Sequence, residues 1–394
     1  MRTIKAEFEV VTPMFLGESV SGNEINCAER IRGASLKGAL RFYFRALNWH
    51  RIRSASADDR AALKALHAEE SAIFGAAVKD KKGGQAAFLL RVSGEPITCK
   101  KNMQGLNSML GYLLGQGLYD GRKNVLTREF IPMGVVFNVD LILKPTLNEQ
   151  QVQQISDCLL TFGLLGGLGS RARKGFGSVS ITSLVINEVE QKLPQTKDEY
   201  KKALKHLIGV QTLVAEPPLT AFSAQTQLQV SATSRDPIGL LNKHGLEMGL
   251  YRSFGRNGKV FDKTAEQNFR EDHDWAYDVR KNEMDKAYLP ERAVFGLPHP
   301  YFLSNANNFK LAVDSQSGRR ASPLFAHVQR LPTGDYLLVH TLMRSQFLPQ
   351  GINVDIRGGN VRYSISDVNT KVDWDVLTDF LERFKPKSED VVYG

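Results

Sequence analysis

Residues 166–181 read GGLGSRARKGFGSVSI, with five glycines in the first twelve positions. The preceding run has helical spacing and the following run alternates, so a loop is predicted between a helix and a strand. Glycine lets the backbone adopt positive φ and approach another chain closely. Arg171, Arg173 and Lys174 add N–H donors suited to phosphate oxygens. The stretch therefore favours contact with a phosphodiester backbone.

Flanking sequence predicts an α+β fold. Residues 148–165 have helical periodicity, and residues 178–186 and 3–11 alternate as strands do. Residues 35–50 predict a helix with Ser35 as its N-cap. Further strands are predicted at residues 86–92, 135–143, 226–233 and 336–343, and further helices at 58–74, 237–254, 262–282 and 374–384. The order in the first half suits a ferredoxin-like antiparallel sheet with helices packed on one face, and a second such fold can follow.

The predicted domain boundary lies in residues 188–202, which lose hydrophobic periodicity and carry a proline among charges. We therefore expect an N-terminal domain at residues 1–205, with an insertion, and a C-terminal domain at 206–394, with a helical insertion. Residues 100–128 give no clear assignment.

The basic surplus is unevenly distributed. The chain of 394 residues has 51 Lys and Arg against 42 Asp and Glu, for a net charge of +9. Residues 28–53 contribute +6 and residues 166–178 contribute +3, so the rest cancels. On the predicted first helix, Lys37, Arg41 and Arg45 recur every four residues and form a basic stripe. Two basic patches on a neutral background are typical of a polyanion binder.

Other classes of site find little support in the sequence. The chain has no GxxxxGK[ST] or GxSxG run, and the glycine loop follows a helix where a dinucleotide fingerprint follows a strand. Cys27, Cys99 and Cys158 lack metal-site spacing and are predicted to be unlinked thiols. The acidic run at residues 271–274 is predicted to be a solvated helix face, so we expect neither a metal nor a cofactor. No apolar run suits a membrane span, and a cytoplasmic location is expected.

Two further candidates carry open alternatives. His50 ends the basic helix and has the composition of a general acid/base for RNA cleavage, although phosphate contact or a helix C-terminal role fits better. Arg319 and Arg320 precede a Ser-Pro turn and predict either a phosphate contact or a basic hairpin.

Six segments together resemble the RAMP superfamily of CRISPR RNA-binding proteins. They also resemble, more narrowly, the first-subunit family of the Cmr complex, the type III-B effector. The segments read TPMFLG (12–17), IRGASLKGALRFYFRAL (31–47), IFG (73–75), GGLGSRARKGFGSV (166–179), VFGLPHPYF (294–302) and RRASPL (319–324). Gly33 and Ala34 depart from the family pattern, which commonly has proline before this serine. The second half shows no equally clear glycine loop.

The resemblance implies two RRM-like, ferredoxin-fold domains in tandem. It also implies a non-catalytic subunit that contacts guide CRISPR RNA, helps capture target RNA in antiviral defence and lies beside other RAMP subunits. Charge and resemblance give these candidate RNA-binding residues: Arg32, Lys37, Arg41, Arg45, Arg51, Gly167, Gly169, Arg171, Arg173, Lys174, Phe176, Arg319 and Arg320. The alternatives are a metal-independent RAMP endoribonuclease that processes guide precursors with His50, and a scaffold that binds only proteins.

Overall fold

The computed structural model describes residues 2–19, 25–77, 84–209, 211–303 and 306–394. The strands are β1 (Thr3–Val10), β2 (Gly17–Ser19), β3 (Ile25–Cys27), β4 (Phe88–Ser93), β5 (Tyr119–Asp120), β6 (Val125–Leu126), β7 (Val136–Leu143), β8 (Val179–Ile186), β9 (Val189–Glu190), β10 (Gln227–Ser234), β11 (Lys259–Val260), β12 (Lys263–Thr264), β13 (His299–Leu303), β14 (Phe309–Ser315), β15 (Leu324–Arg330), β16 (Tyr336–Leu342), β17 (Val354–Gly358), β18 (Val361–Ile365) and β19 (Val391–Tyr393). The helices are α1 (Gly33–Ser54), α2 (Asp59–Phe74), α3 (Ser108–Leu114), α4 (Glu149–Leu165), α5 (Lys197–Ile208), α6 (Pro237–Arg252), α7 (Arg270–Lys281), α8 (Val368–Lys371) and α9 (Asp375–Glu382).

The first half of the chain forms a five-stranded antiparallel sheet. Its strands lie in the order β4, β7, β1, β8 and β9. α1 follows β1, and α4 joins β7 to β8. The order strand, helix, strand, strand, helix, strand is the ferredoxin-like arrangement, so the predicted α+β class is confirmed. Because β1 alternates, Ile4, Phe8 and Val10 all point into the core.

The second half repeats this arrangement. Its sheet has the order β15, β16, β10 and β19, with all neighbours antiparallel. α6 follows β10, and α9 lies between β16 and β19. The two units meet at β15, where Ser178 and Ser180 hydroxyls accept hydrogen bonds from the backbone of Val328 and Arg330 at 3.1 and 2.9 Å. The glycine loop therefore lies at the junction of the two halves.

A third sheet is inserted into the second unit and was not anticipated. Its strands have the order β13, β14, β17 and β18. Three two-stranded pairs, β2 with β3, β5 with β6 and β11 with β12, complete the described strands. The insertion at residues 100–128 contains α3 and the β5–β6 hairpin.

Helix ends follow local capping chemistry. The side chain of Asp58 caps α2, and Asn148 forms a capping box with Gln151 at the start of α4. Ser35 lies inside α1, which begins at Gly33 after Arg32, so its predicted role as N-cap is wrong. The boundary predicted at 188–202 contains β9 and the start of α5, and the division at 205/206 stays a prediction.

Three predictions from the sequence need correction. Residues 262–282 are not one exposed helix, because β12 precedes α7 and Trp275 and Val279 of α7 are buried. Asp272, expected on a solvated face, is 0% exposed. Cys27 and Cys99 form a disulfide across 72 residues, and Cys158 is free and buried.

None of the described helices combines the length and apolar character needed to cross a membrane.

Candidate nucleic-acid interface

The basic stripe of α1 faces α2. The guanidinium of Arg41 donates to the Phe74 carbonyl at 3.2 Å and to the Gly75 carbonyl. Arg41 and Arg45 both lie within 4 Å of the Glu70 carboxylate, at 3.6 and 3.7 Å. Glu70 is buried, so this acid offsets part of the charge that the sequence places on α1.

Other cations of this region differ in their partners. Arg32 is exposed at the start of α1, where no side chain caps the helix and its first turn has no acid. The Nζ of Lys37 lies 5.8 Å from the Phe88 ring centroid. Partial burial is the main cause that lowers the pKa of Lys37, and the charge of Arg41 lowers it further. Arg51 pairs with Glu69. The open N-terminal turn of α1 and its neighbouring cations therefore suit a phosphate oxygen.

The glycines of the loop are required by close contacts within the chain. Gly169 has φ of +88°, and a Cβ there would lie 2.6 Å from the Phe15 carbonyl oxygen. A Cβ on Gly167 would lie 2.7 Å from the Gly177 carbonyl oxygen. The loop thus folds against itself and against the segment after β1.

Two basic side chains of the loop cap the C-terminal end of α3. Arg171 Nε donates to the Leu114 carbonyl at 2.6 Å, and Lys174 Nζ donates to the Leu113 carbonyl at 3.0 Å. The last carbonyls of a helix have no partner within the helix and carry partial negative charge, so cations stabilise them. These contacts attach the insertion to the loop.

Lys174 is the most perturbed of these cations. Burial is the largest cause that lowers its pKa to about 7, and the positive charges of Arg252 and Arg171 lower it further. Near neutral pH this amine is therefore only partly protonated. A partly protonated, half-buried amine is a weaker ligand for phosphate than an exposed, fully charged one.

Arg173 connects the loop to the second half of the chain. Its guanidinium donates to the Ser322 carbonyl and lies 4.4 Å from the centroid of the Phe325 ring. Burial, followed by Arg320, lowers the pKa of Arg173 to about 10, so it stays charged at neutral pH. Phe176 is 0% exposed and packs against Phe15 in the core.

The Ser-Pro turn places its two arginines differently. Arg319 is exposed, and its charge is the second cause, after burial, of the lowered pKa of Arg171. Arg320 donates to Ser345 Oγ at 2.7 Å and to Thr220 Oγ1 at 3.2 Å. Arg319 and Arg171 are therefore neighbours, whereas Arg320 contacts the chain itself.

The structure brings the two predicted basic patches together. Arg45 of α1 and Arg173 of the loop line one pocket of about 400 Å³ with Phe42, Glu70 and Thr220, and we call it the α1 groove. The RNA-binding role of the candidate residues stays a prediction.

His50 lies near the end of α1 and contacts the linker before the second unit. The backbone N–H of Thr212 donates to His50 Nε2 at 3.0 Å, and Thr212 Oγ1 is 3.1 Å from the same nitrogen. This nitrogen therefore already accepts a backbone hydrogen bond.

Among the described residues, no group of three or more His, Cys, Asp or Glu side chains could hold a metal ion.

A second cleft of about 820 Å³ was missed at the level of sequence. We call it the arginine cleft, and its basic lining residues are Arg122, Arg252, Arg256 and Arg292. Residues 252–259, RSFGRNGK, carry three cations, two glycines and no acid, which matches the charge of the first loop. This local basic composition could have indicated the cleft from the sequence. Acidic residues after residue 260 offset its positive charge when charge is counted over the whole domain.

The first unit is similar to a known superfamily. The profile of the RAMP superfamily matches residues 7–180, which run from β1 into β8. Residues 7–180 are similar to the RAMP superfamily. They contain α1, the glycine loop and most of the candidate residues, so the resemblance seen in the sequence is confirmed.

The similarity to known proteins extends beyond the residues that match the RAMP superfamily. CRISPR system Cmr subunit Cmr1-1 of Pyrococcus furiosus is 24% identical over 358 residues, which cover 89% of this chain and 87% of that protein. The apo crystal structure of Cmr1 from Pyrococcus furiosus matches 100% of this chain and 99% of its own, with TM-score 0.59 and 18% identity. A chain from a type III-B Cmr-beta complex bound to cognate target RNA gives TM-score 0.50 at 11% identity, covering 98% and 99%. These structures share the fold of this chain.

Proposed function

We propose that this chain is a non-catalytic, RNA-binding subunit of a type III-B CRISPR ribonucleoprotein of the Cmr type, acting in antiviral defence. One observation carries the proposal, namely the similarity to Cmr1-1 along 89% of this chain. Its similarity to the RAMP superfamily, its fold and its basic groove all agree with that assignment. Guide RNA, target RNA and other RAMP subunits are the proposed partners.

The proposed RNA path runs along the α1 groove. Arg45 retains 43% side-chain exposure although it pairs with Glu70, and Arg173 stays charged at neutral pH. Arg32 and Arg319 are exposed at the start of α1 and beside the glycine loop. Arginine presents five N–H donors, so one engaged by the chain still has donors for a phosphate. Contacts of this kind bind the backbone, and base pairing between the RNAs reads the sequence.

The non-catalytic role is supported by the position of His50. A general base needs a free nitrogen within reach of the proton that it removes. His50 Nε2 accepts the Thr212 backbone N–H instead. This contact favours a structural role for His50 over the endoribonuclease alternative.

A binding titration with a matched control tests the RNA contact. The purified chain is titrated with a labelled single-stranded RNA of about 40 nucleotides, in EDTA and at several salt concentrations. Arg45→Ala should weaken binding and lower the log-log salt slope by about 0.7, the value for one phosphate on a single strand. Arg60→Ala removes an exposed arginine of α2 and should leave both unchanged. Equal behaviour of the two variants would remove the α1 groove from the proposal.

Purification from the native cells tests the assembly. The tagged chain should retain other RAMP subunits and RNAs that carry CRISPR repeat sequence. Isolation as an RNA-free single chain would contradict the proposal.

A denaturing gel of the titrated RNA completes the test, since discrete cleavage in EDTA that is lost in His50→Ala would support the nuclease instead.

A further inference from the structure

The arginine cleft is formed by segments from both halves of the chain. Tyr112 of α3 and Arg122 of the β5–β6 hairpin line one side. The end of α6, residues 253–258, α7 and β13 line the other. Its volume of about 820 Å³ lies within the roughly 300–1,000 Å³ of small-molecule sites. The cleft is therefore large enough for a nucleotide.

The charge of the cleft is entirely basic. Among the described residues that line it, four are arginines and none is Asp or Glu. Arg122 and Arg256 are exposed, and neither has an ion pair with a described residue. The Nε of Arg252 is buried and has no hydrogen-bond partner among the described residues. This arrangement attracts an anion and leaves donors available to it.

The cleft also presents aromatic surface. Phe302 of β13 is 58% exposed, so part of its ring is accessible to a ligand. The rings of Phe254 and His273 are stacked with centroids 3.6 Å apart and an interplanar angle of 3°. Tyr277 extends this wall, 5.0 Å from His273. Aromatic faces next to cations are what single-stranded nucleic-acid sites use to hold bases and phosphates together.

One wall of the cleft is held rigidly. The buried Asp272 accepts hydrogen bonds from Arg292 Nε at 2.9 Å, from the Tyr301 hydroxyl at 2.7 Å and from the Tyr288 hydroxyl at 2.8 Å. The Arg292 guanidinium also lies 4.5 Å from the Tyr301 ring centroid. Arg292 thus positions the wall, and the exposed arginines stay free to meet a ligand.

His299 adds a polar group without a described partner. Burial, followed by Arg252 and Arg292, lowers the pKa of His299 well below its usual range, so the ring is neutral near pH 7. Its Nε2 is buried and makes no hydrogen bond with a described residue. A neutral imidazole can donate or accept one hydrogen bond at a base edge.

We propose that the arginine cleft binds one unstacked nucleotide of a single-stranded RNA, with the base on Phe302 and the phosphate on Arg252 and Arg256. The proposal rests on the proposed RNA-binding function and adds a second site, remote in sequence from the glycine loop. The cleft recognises the nucleotide through stacking and charge, so it accepts different bases.

Substitution of the exposed residues Phe302 and Arg256 tests the proposal, because it leaves the buried wall of the cleft intact. Phe302→Ala should raise the Kd for a single-stranded 12-nucleotide RNA about 5- to 150-fold, the range for loss of one stacked base. Arg256→Ala should lower the salt slope by about 0.7. Leu89→Ala and Arg362→Ala replace an exposed apolar residue and an exposed arginine outside the cleft, and both should bind as the wild type does.

The outcomes separate the two proposals. If the wild type binds RNA and the Phe302 and Arg256 variants bind equally well, the cleft proposal fails and RNA binding stands. Adenosine 5′-monophosphate serves as a second probe by calorimetry. Binding of this nucleotide that is lost in Phe302→Ala, without any RNA binding, would show that the cleft takes a free mononucleotide, and would contradict both the RNA ligand proposed for the cleft and the proposed function. Binding of neither probe would overturn both.

Discussion

The α1 groove and the arginine cleft are both basic and aromatic, but their cations have different partners. In the groove, Arg45 pairs with Glu70, and Arg173 donates to the Ser322 carbonyl. In the cleft, Arg122 and Arg256 are exposed and the described lining contains no acid. Net charge in a sequence segment therefore measures how many cations are present, and only the fold decides how many are free.

The largest effect is expected at the wall of the cleft. Asp272→Ala leaves Arg292 buried without its carboxylate and should lower the free energy of unfolding by about 3–5 kcal/mol. Asp274 lies on the same helix with 64% side-chain exposure, so Asp274→Ala should stay within about 0.5 kcal/mol of the wild type. Urea denaturation measures both. A small effect at Asp272 would mean that the wall is not held as described.

A comparison of one arginine from each region comes next. Arg173→Ala removes a charged hydrogen bond and a cation–π contact at the junction, and should cost about 2–3 kcal/mol. Arg256→Ala should leave stability within about 0.5 kcal/mol. Equal losses in chemical denaturation would erase the distinction between engaged and free cations.

Gly169 of the glycine loop can be compared with Gly117 of the insertion at residues 100–128. Gly169 and Gly117 both have φ of +88°, but a Cβ would meet other atoms within 4 Å only at Gly169, where the Phe15 carbonyl oxygen would lie 2.6 Å away. Both alanine variants lose stability because of the positive φ. Gly169→Ala should lose about 1–2 kcal/mol more, as measured by thermal unfolding. Identical losses would show that the loop has room for a side chain.

Lys174 should make the stability of the protein depend on pH. Its folded pKa of about 7 lies below the unfolded value, so between pH 7 and 10 the unfolded chain binds more protons. Stability of the wild type relative to Lys174→Met should therefore rise with pH in that window, by at most about 1.4 kcal/mol per pH unit. Thermal unfolding of both proteins from pH 6.5 to 9.5 measures it. A flat difference would mean that Lys174 is solvated.

Long periodic segments were predictable from the sequence. β1, α4 and β7 lie within one or two residues of their predicted bounds, because each buries one face along its whole length. The third sheet was missed because its strands are five to seven residues long and lie in an insertion. Short strands give little periodic signal.

The site was only partly accessible from sequence. Arg45 and Arg173 were both singled out, and the structure places them in one pocket. The cleft was not anticipated because Tyr112, Arg256 and Phe302 are remote in sequence and meet only after folding. The Cys27–Cys99 bond escaped for the same reason. Burial of Asp272 depends on its tyrosine partners and on Arg292, which no local pattern reveals.

Photo-crosslinking with peptide mapping tests the central claim most directly. A single-stranded RNA with one 4-thiouridine at successive positions is bound to the full-length protein, irradiated and digested. We predict crosslinks on the peptides that contain Phe254, Tyr277 or Phe302, at one position of the RNA. Crosslinks confined to residues 166–181, with none in the cleft, would contradict the proposal that the arginine cleft binds a nucleotide of the RNA.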